Sequence, residues 1–591
     1  MIVLAIKDFS CSAPYDIRIG MQKTWELKRV DSAAIKRIRG HLGCHSATAS
    51  LLAQKNLLSK KDLQHFLYPS LHHLRQPFSL ADMQKAVARI AQALEKKEKI
   101  LIFGDYDVDG VTATTLISQF LAEVGATVQD YIPDRLTEGY GLKADHITEL
   151  AIRDNIKLII TVDCGIASHE AVSLAQTKQV DVIITDHHDP PEDLPKALAI
   201  VNPKRLDCPS DLNHLAGVGI VFYLAMALRM HLRNLGFFKQ TPEPNLKKYC
   251  DLVALGTIAD MVPLVQENRV LTVSGLHMLQ TMPRPGIKAL TQASGIDYRH
   301  LDSEDIAFRL GPRINAAGRM DHARQATGLL IATQPETADD YASKLNYFNQ
   351  LRKKTEQDVL NDVLDRLEKQ TDLSQNRCLL FASPAWHSGV VGIVAARLTR
   401  RFNKPAVLIS IEKDMGIGSA RSIPGIDIRS MLAVCSQHLL GFGGHPMAAG
   451  LQVAVKDIES FRACLEQTLQ VATSGQALNP VLSIDYNLEL PDINAKLLNE
   501  IAALGPFGNQ NPEPVFLAHN VSVSNAAIVG DSHRRMQLHP ANENYPKLAA
   551  IQFNVDPNDP QPDHFSKIAY HLQWNRWNGH KSIQLVIKDI Q

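Results

Sequence analysis

Four short stretches of this 591-residue chain gather acidic and imidazole side chains at close spacing. They are GDYDVDG with Asp105, Asp107 and Asp109, TVDCG with Asp163, TDHH with Asp186, His187 and His188, and GTIADMVPL with Asp260. In an extended segment residues i, i+2 and i+4 point to one side, so the first three aspartates are expected to aim at a common point. So many like charges repel severely unless cations sit between them. Any one group alone reads more simply as a helix cap, a turn residue or a solvated charge. Four such stretches, each read as following an apolar strand, point instead to a built site at the carboxyl ends of strands, where open α/β sheets bind ligands. Oxygen and imidazole donors without thiolate suit Mn²⁺ or Mg²⁺, in number enough for two ions. Two ions bridged by a carboxylate can activate a water and stabilise a phosphorane-like transition state, which makes phosphoester hydrolysis the natural inference. GDYDVDG is a poor dinucleotide fingerprint, because Asp105 puts charge where GxGxxG brings backbone close to a pyrophosphate.

The elements that must carry these groups are legible as apolar, β-branched runs alternating with amphipathic stretches: ILIFG (100–104), VQDYIP (128–133), KLIITVD (157–163), DVIITD (181–186) and ALAIVNP (197–203). That rhythm predicts an α/β fold with a doubly wound parallel sheet covered on both faces. Residues 208–350 read as mostly helical, and charges alternating at helical spacing over 347–370, with Val359, Leu360, Val363 and Leu367 as a thin seam, predict a long helix joining two lobes. CLLFAS, VVGIVAARLTRRF and AVLIS restart a smaller α/β lobe, and short strands beyond about 470 fit a β-barrel. The expected division is an N-terminal extension (1–70), a catalytic domain (71–345), a connecting helix (346–372), a second lobe (373–472) and a barrel (473–591).

Composition bounds the rest. Hydrophobic residues at 45%, charged residues at 21%, 33 Gly and 30 Pro fit a folded globular protein and exclude disordered or collagen-like classes. Lys plus Arg equals Asp plus Glu at 62 each, so any nucleic-acid surface must be local. The eight Cys (11, 44, 164, 208, 250, 378, 435 and 464) form no CxxC pair, which argues against a disulfide framework or thiolate zinc site. MIVLAIKDFS has no basic leader and no run of 18 apolar residues follows, so the expectation is a cytoplasmic protein without membrane association.

Local basic and glycine-rich segments could hold a strand's phosphates. PDRLTEGYG carries Arg135 and Tyr140; RLGPRINAAGRMDHAR carries Arg309, Arg313, Arg319 and Arg324; GIGSARSIPG offers Ser419 and Arg421 in what reads as a glycine-bounded turn; GFGGHPMAAG places His445 in another. A lone loop Arg is usually solvated, but four within sixteen residues repel one another unless an anion sits on them. Tyr140, Trp386, Phe442, Trp574 and Trp577 are candidates for base stacking, against a default of ordinary packing. WHSGVVG is not a nucleophile motif, since no GxSxG elbow surrounds Ser388.

DYDVDG, TVDCG, TDHH and ADMVPL, in that order, resemble the four motifs of the DHH phosphoesterase superfamily, and the resemblance runs from about residue 70 to 591. It implies a two-lobed fold, a parallel-sheet DHH domain joined by a long helix to a smaller DHH-associated domain, with a C-terminal OB-fold barrel. GSAR and GGHPMAAG resemble the signature turns of the second lobe, INAAGR the connection between lobes, GPFGNQNPEPVF (505–516) the linker into the barrel, and HLQWNRWNGHKSIQLVIKD its last strands. The implied activity is that of a single-stranded-DNA-specific 5′→3′ exonuclease releasing 5′-mononucleotides in DNA repair and recombination. The family pattern implies that Asp109, Asp163, His187 and Asp260 hold one ion, and Asp107 and Asp163 the other, with Asp105 a nearby carboxylate that either ligates or stands behind the ligands. It further implies that His188 faces the scissile phosphate, that Asp186 orients His187, and that Arg135, Ser419 and Arg421 grip the 5′-terminal phosphate. Some relatives carry a His where this sequence has Phe103, which would leave the first ion one protein ligand fewer. Implied partners are single-stranded DNA, a helicase and a single-strand-binding protein; because one chain holds lobes enough to form a cleft, a monomer is expected. The alternatives are a same-superfamily phosphodiesterase acting on short oligoribonucleotides or cyclic dinucleotides, a dinuclear pyrophosphatase, and a non-catalytic strand-binding scaffold.

Overall fold

The computed structural model describes residues 23–591 except 136, 370–375, 474–479, 531, 542–544, 558–559 and 578–579, so the reading of MIVLAIKDFS lies outside the described residues. Contacts divide the chain into two units: Lys61–Gln350 with Leu504–Glu513, and the described residues up to Lys60 with Leu351–Ala503 and Pro514–Gln591.

In the first unit all five apolar runs form strands: β1 (Lys99–Gly104), β2 (Thr127–Tyr131), β3 (Leu158–Val162), β4 (Asp181–Thr185) and β5 (Ala199–Val201). They pair in parallel in the order β2-β1-β3-β4-β5, so the winding reverses between β1 and β3. Alternation along the strands sends Ile100, Ile102, Leu158 and Ile160 into one buried cluster and Leu101, Phe103, Ile159 and Ile184 into another, so both sheet faces are covered. The first cluster also takes in the helices Val108–Glu123, Gly217–Asn234 and Cys250–Ala259, whose apolar residues bury almost all round.

The second unit holds three further structures. A mixed sheet of β6 (Leu379–Ser383), β7 (Ala406–Glu412), β8 (Met415–Arg421), β9 (Gly441–His445) and β10 (Ala448–Ala454) runs in the order β9-β10-β8-β7-β6, parallel only between β6 and β7. A closed barrel is formed by β11 (Phe516–Val529), β12 (His533–Pro540), β13 (Leu548–Gln552), β14 (His564–Trp577) and β15 (His580–Ile590), with β11 pairing both β12 and β14. The described part of the N-terminal extension is tied to this C-terminal part. Thr24–Leu27 pairs in parallel with Val481–Ile484, Trp25 Nε1 donates to Asp589 Oδ2 at 2.9 Å, and Thr48 Oγ1 donates to Glu500 Oε2 at 2.7 Å.

The long helix runs Pro335–Lys369. Val359, Leu360 and Val363 are its buried seam here, and Arg366 pairs with Asp362 at 2.8 Å along its polar side. No helix among the described residues is long and apolar enough to cross a membrane.

Candidate functional site

The groups singled out by type converge at the carboxyl ends of β1, β3 and β4, beside the winding reversal. Donor atoms of Asp105, Asp107 and Asp163 lie within 4.8 Å of one another, as do those of Asp109, His187 and Asp260, and those of Asp163, His187 and His188. His187 Nε2 stands 3.2 Å from Asp163 Oδ1, 3.6 Å from Asp260 Oδ2 and 3.9 Å from Asp109 Oδ2.

The local reasons differ from those expected. β1 ends at Gly104, and Asp107 caps the next helix, its Oδ1 accepting from Gly110 N at 3.0 Å. Asp109 therefore sits in the first turn of a helix, not on an extended strand, and strand alternation does not explain its aim. Its carboxylate is held by the start of a second helix: Gly217 N donates to Oδ2 at 2.6 Å and Val218 N to Oδ1 at 2.9 Å. Asp260 likewise follows the helix Cys250–Ala259 rather than a strand. Asp163 follows β3 directly but takes a left-handed φ of 62°, a strained conformation costing about 1–3 kcal/mol. The space at Gly217 is what admits it, since a Cβ there would lie 2.5 Å from Asp163 Oδ1.

Asp186, expected to orient His187, bonds the ring of the next residue. Its buried Oδ1 lies 2.7 Å from His188 Nδ1 and also accepts from His188 N at 3.0 Å, while Oδ2 accepts from Ile166 N at 2.9 Å. The backbone bonds fix the carboxylate under residue 188, so its remaining lone pair meets that imidazole. Tyr140 is half-exposed, but its hydroxyl turns inward to lie 3.2 Å from His188 Nδ1 and to donate to Asp163 O at 3.3 Å.

Electrostatics follow from this crowding. Burial, then the Asp107 charge, pushes the Asp105 carboxyl well above the usual range, and pushes Asp109 up to about 7. Burial and the neighbouring aspartates, Asp109 foremost, raise Asp163 and Asp260 as well. The His188 imidazole is held in its charged form: burial works against the charge, but the bond to Asp186 raises it to about 9. Asp105 Oδ1 and Asp163 Oδ1 are buried and make no hydrogen bond, the second facing only the His187 ring nitrogen at 3.2 Å, a costly state for acceptors unless a cation completes them. Hard oxygen donors, one imidazole shared between two clusters and orphaned carboxylate oxygens fit Mn²⁺ or Mg²⁺.

Phe103, where a further ligand was noted as missing, is fully buried, its ring 4.9 Å from that of His146. Arg135 lies over the Tyr106 ring at 4.8 Å, next to the first aspartates. Arg309 is engaged by Asp305 at 3.0 Å, and Arg313 Nε donates to Asn346 Oδ1 at 3.1 Å. Arg319 lies on the helix Gly311–Met320. That helix also supplies a residue the sequence reading missed: Asn315 Oδ1 accepts from Val108 N at 3.1 Å, fixing the backbone between Asp107 and Asp109. INAAGR carries the signal, an amide four residues before its single arginine, Arg319, in a segment whose basic residues are the more conspicuous feature. Asn202, fully buried, is a second omission, its Nδ2 donating to His188 O at 2.9 Å.

In the other unit the GSAR segment is strand β8, not a turn, and Ser419 and Arg421 therefore share one face of it. Arg421 Nη1 donates to Ser419 Oγ at 2.8 Å, and a Cβ on Gly392 of the helix Ser388–Phe402 would lie 2.7 Å from that oxygen. His445 ends β9, exposed and paired in register with Ala448. Trp386 is buried with Nε1 on Asp362 Oδ2 at 2.8 Å, so it packs rather than stacks on bases. Trp574 bears Lys581 over its ring at 3.9 Å, and the Trp577 side chain lies outside the described residues.

A doubly wound sheet with a carboxylate and imidazole cluster at its reversal defines a metal-dependent hydrolase of the DHH class, and residues 99–257 match the DHH family, N-terminal domain. Residues 375–471 match the DHHA1 domain and 484–589 the RecJ OB domain. The single-stranded-DNA-specific exonuclease RecJ of Bacillus subtilis is 36% identical over 569 residues, covering 96% of this chain and 70% of that protein; that of Haemophilus influenzae is 35% identical, covering 93% and 96%. The crystal structure of RecJ from Thermus thermophilus in complex with Mn²⁺ superposes with a TM-score of 0.81 at 28% identity, over 96% of this chain and 79% of that one. The chain belongs to the RecJ family.

Proposed function

We propose that this chain is a single-stranded-DNA-specific exonuclease that enters from the 5′ end, releases 5′-mononucleotides and uses two divalent ions, Mn²⁺ or Mg²⁺. The observation that carries the reading is the convergence of Asp105, Asp107, Asp109, Asp163, His187 and Asp260 into overlapping donor groups within one unit. Every motif carboxylate and both histidines are present, which favours an enzyme over a non-catalytic scaffold. The match of residues 484–589 to the RecJ OB domain favours long single strands over cyclic dinucleotides.

Asp109, His187 and Asp260 would hold one ion, Asp105 and Asp107 the other, and Asp163 both. Such ions, when bound, supply an activated water and positive charge against the phosphorus. Asp186 keeps the His188 ring oriented and protonated, and the charged imidazole, one-third exposed at 34%, is assigned to an oxygen of the scissile phosphate. Gly217 and Val218 hold Asp109 through backbone amides, so its second lone pairs stay directed at the ion position. Arg135, Tyr140, Arg313 and Arg319 are assigned to the strand, and Ser419, Arg421 and His445 to its terminal phosphate, whose grip makes the 5′ end the one that enters. The working division into an N-terminal extension (1–70), 71–345, 346–372, 373–472 and 473–591 follows these roles. An enzyme confined to single strands calls for a helicase and a single-strand-binding protein, and we assign it to the cytoplasm as a monomer acting in DNA repair and recombination.

The deciding experiment offers end-labelled single-stranded DNA, duplex DNA and short RNA with Mn²⁺, Mg²⁺ or EDTA. Mononucleotides from single-stranded DNA with metal alone support the reading; EDTA-resistant cleavage, or preference for short RNA, overturns it.

A further inference from the structure

In sequence GPFGNQN resembles a linker, yet Leu504–Glu513 belongs to the same unit as the metal site, whereas the residues on either side of it do not. Where it docks is specific. Asn509 Nδ2 donates to Met261 O at 2.7 Å, and Leu264 N donates to Asn509 O at 2.9 Å, so one residue brackets the loop that begins with Asp260. That loop needs bracketing: Met261 takes a left-handed φ of 60° and is 71% exposed, so its own side chain does little to hold it. From its other side Asn268, fully buried, donates to Pro263 O at 2.9 Å.

The segment is itself rigid enough to act as a strap. Asn511 Nδ2 donates to Leu504 O at 3.0 Å and Pro506 O at 2.8 Å, and residues 508 and 511 exchange backbone bonds of 2.9 and 3.1 Å. Ser303 Oγ holds Phe507 O at 2.8 Å and the buried Arg269 holds Leu504 O at 3.0 Å. Gly508 lets it lie close, since a Cβ there would approach Leu264 Cδ1 to 2.6 Å.

We propose that Leu504–Glu513 is a positioning strap for Asp260, and that the Asn509 amide, through Met261 O and the loop, sets the aim of that carboxylate at its ion. The proposal rests on the metal-site reading given above. Asn509 touches neither ion nor strand; it acts through the loop. Its exposure means that its replacement leaves the fold standing.

The test is Mn²⁺ titration of the full chain by calorimetry, without DNA, for wild type, Asn509→Ala and the equal-sized Asn509→Asp, which keeps bulk but loses the donor. The expected result is that one of the two Mn²⁺ affinities falls about tenfold in both variants while the other holds, and that the metal-free melting temperature matches wild type. Unchanged affinities in both variants overturn the proposal. So does a fall in both affinities together with the melting temperature, which would make the strap a general support. A wild-type chain that takes up no Mn²⁺ defeats the metal-site reading itself and is thereby told apart from failure of the strap alone.

Discussion

The two regions assigned to phosphate chemistry are built on opposite terms. At the ends of β1, β3 and β4 the chemistry is buried: Asp105, Asp109 and Asp163 are at most 5% exposed, one sits on strained backbone, and two helix-start amides hold another in place. On β8, β9 and β10 the chemistry is open: Ser419 and Arg421 are half-exposed on a strand, His445 is exposed, and Cβ atoms on Gly443 and Gly450 would meet nothing within 4 Å. Concentrated negative charge demands enclosure and close spacing to be useful to a cation, whereas a surface that receives a flexible anion can leave its final fit to the ligand. Substitutions of the donor side chains should therefore be all-or-none in the first region, and substitutions in the second graded.

The largest effect is expected for Asp163→Ala, which removes the carboxylate shared between donor groups. Cleavage of end-labelled single-stranded DNA should fall on the order of 10³-fold or more, about 4 kcal/mol of barrier, while strand binding measured by fluorescence anisotropy persists. Retained turnover in manganese would place the chemistry elsewhere. Next comes an acid response belonging to the open region's own unit. Burial, with Lys588 adding, lowers the His571 imidazole in the barrel from 6.5 to about 4, its Nδ1 facing Pro514 O at 2.7 Å. The unfolded chain then binds the proton more readily than the folded one, so stability is full above pH 6.5 and is lost as pH falls toward 4, by about 3 kcal/mol. Urea unfolding followed by barrel tryptophan fluorescence at pH 7 and pH 4.5 checks this, and His571→Gln should flatten the dependence. Gly217→Ala tests whether enclosure matters: the added Cβ crowds Asp163 Oδ1, and about 10–100-fold loss of cleavage with little change in strand affinity is expected. The smallest is Arg421→Ala, a roughly tenfold fall in kcat/KM on 5′-phosphorylated ends and less on 5′-hydroxyl ends, equivalent to one charge-assisted hydrogen bond. Equal loss on both ends would remove Arg421 from the terminal-phosphate pocket.

The same contrast governs how much could be read in advance. The strands were visible because buried parallel strands are written as uninterrupted runs such as LIITV and DVIIT, and the donors because their residue types stand at strand ends. Their convergence was inferred for partly wrong reasons. Asp109 reaches the site from a helix turn and Asp260 from a helix end, neither of which strand alternation describes. Ser419 and Arg421 look like turn residues because glycines flank them, yet Gly416 and Gly418 serve close packing in a strand, a Cβ on Gly418 meeting Leu451 Cδ1 at 2.7 Å. What stayed hidden was tertiary: Asn315 bonding Val108 N, Gly217 making room for Asp163, and Thr24–Leu27 pairing with Val481–Ile484 join residues far apart in the chain with no local pattern to announce them.

The elevated carboxyls of Asp105, Asp109, Asp163 and Asp260 have a consequence for how the protein is charged with metal. In the absence of cations the cluster holds hydrogen ions more tightly than ordinary aspartates do, so loading with a dication displaces protons. Uptake should release acid into a weakly buffered solution, and the apparent affinity should climb with rising pH until the cluster is empty of protons.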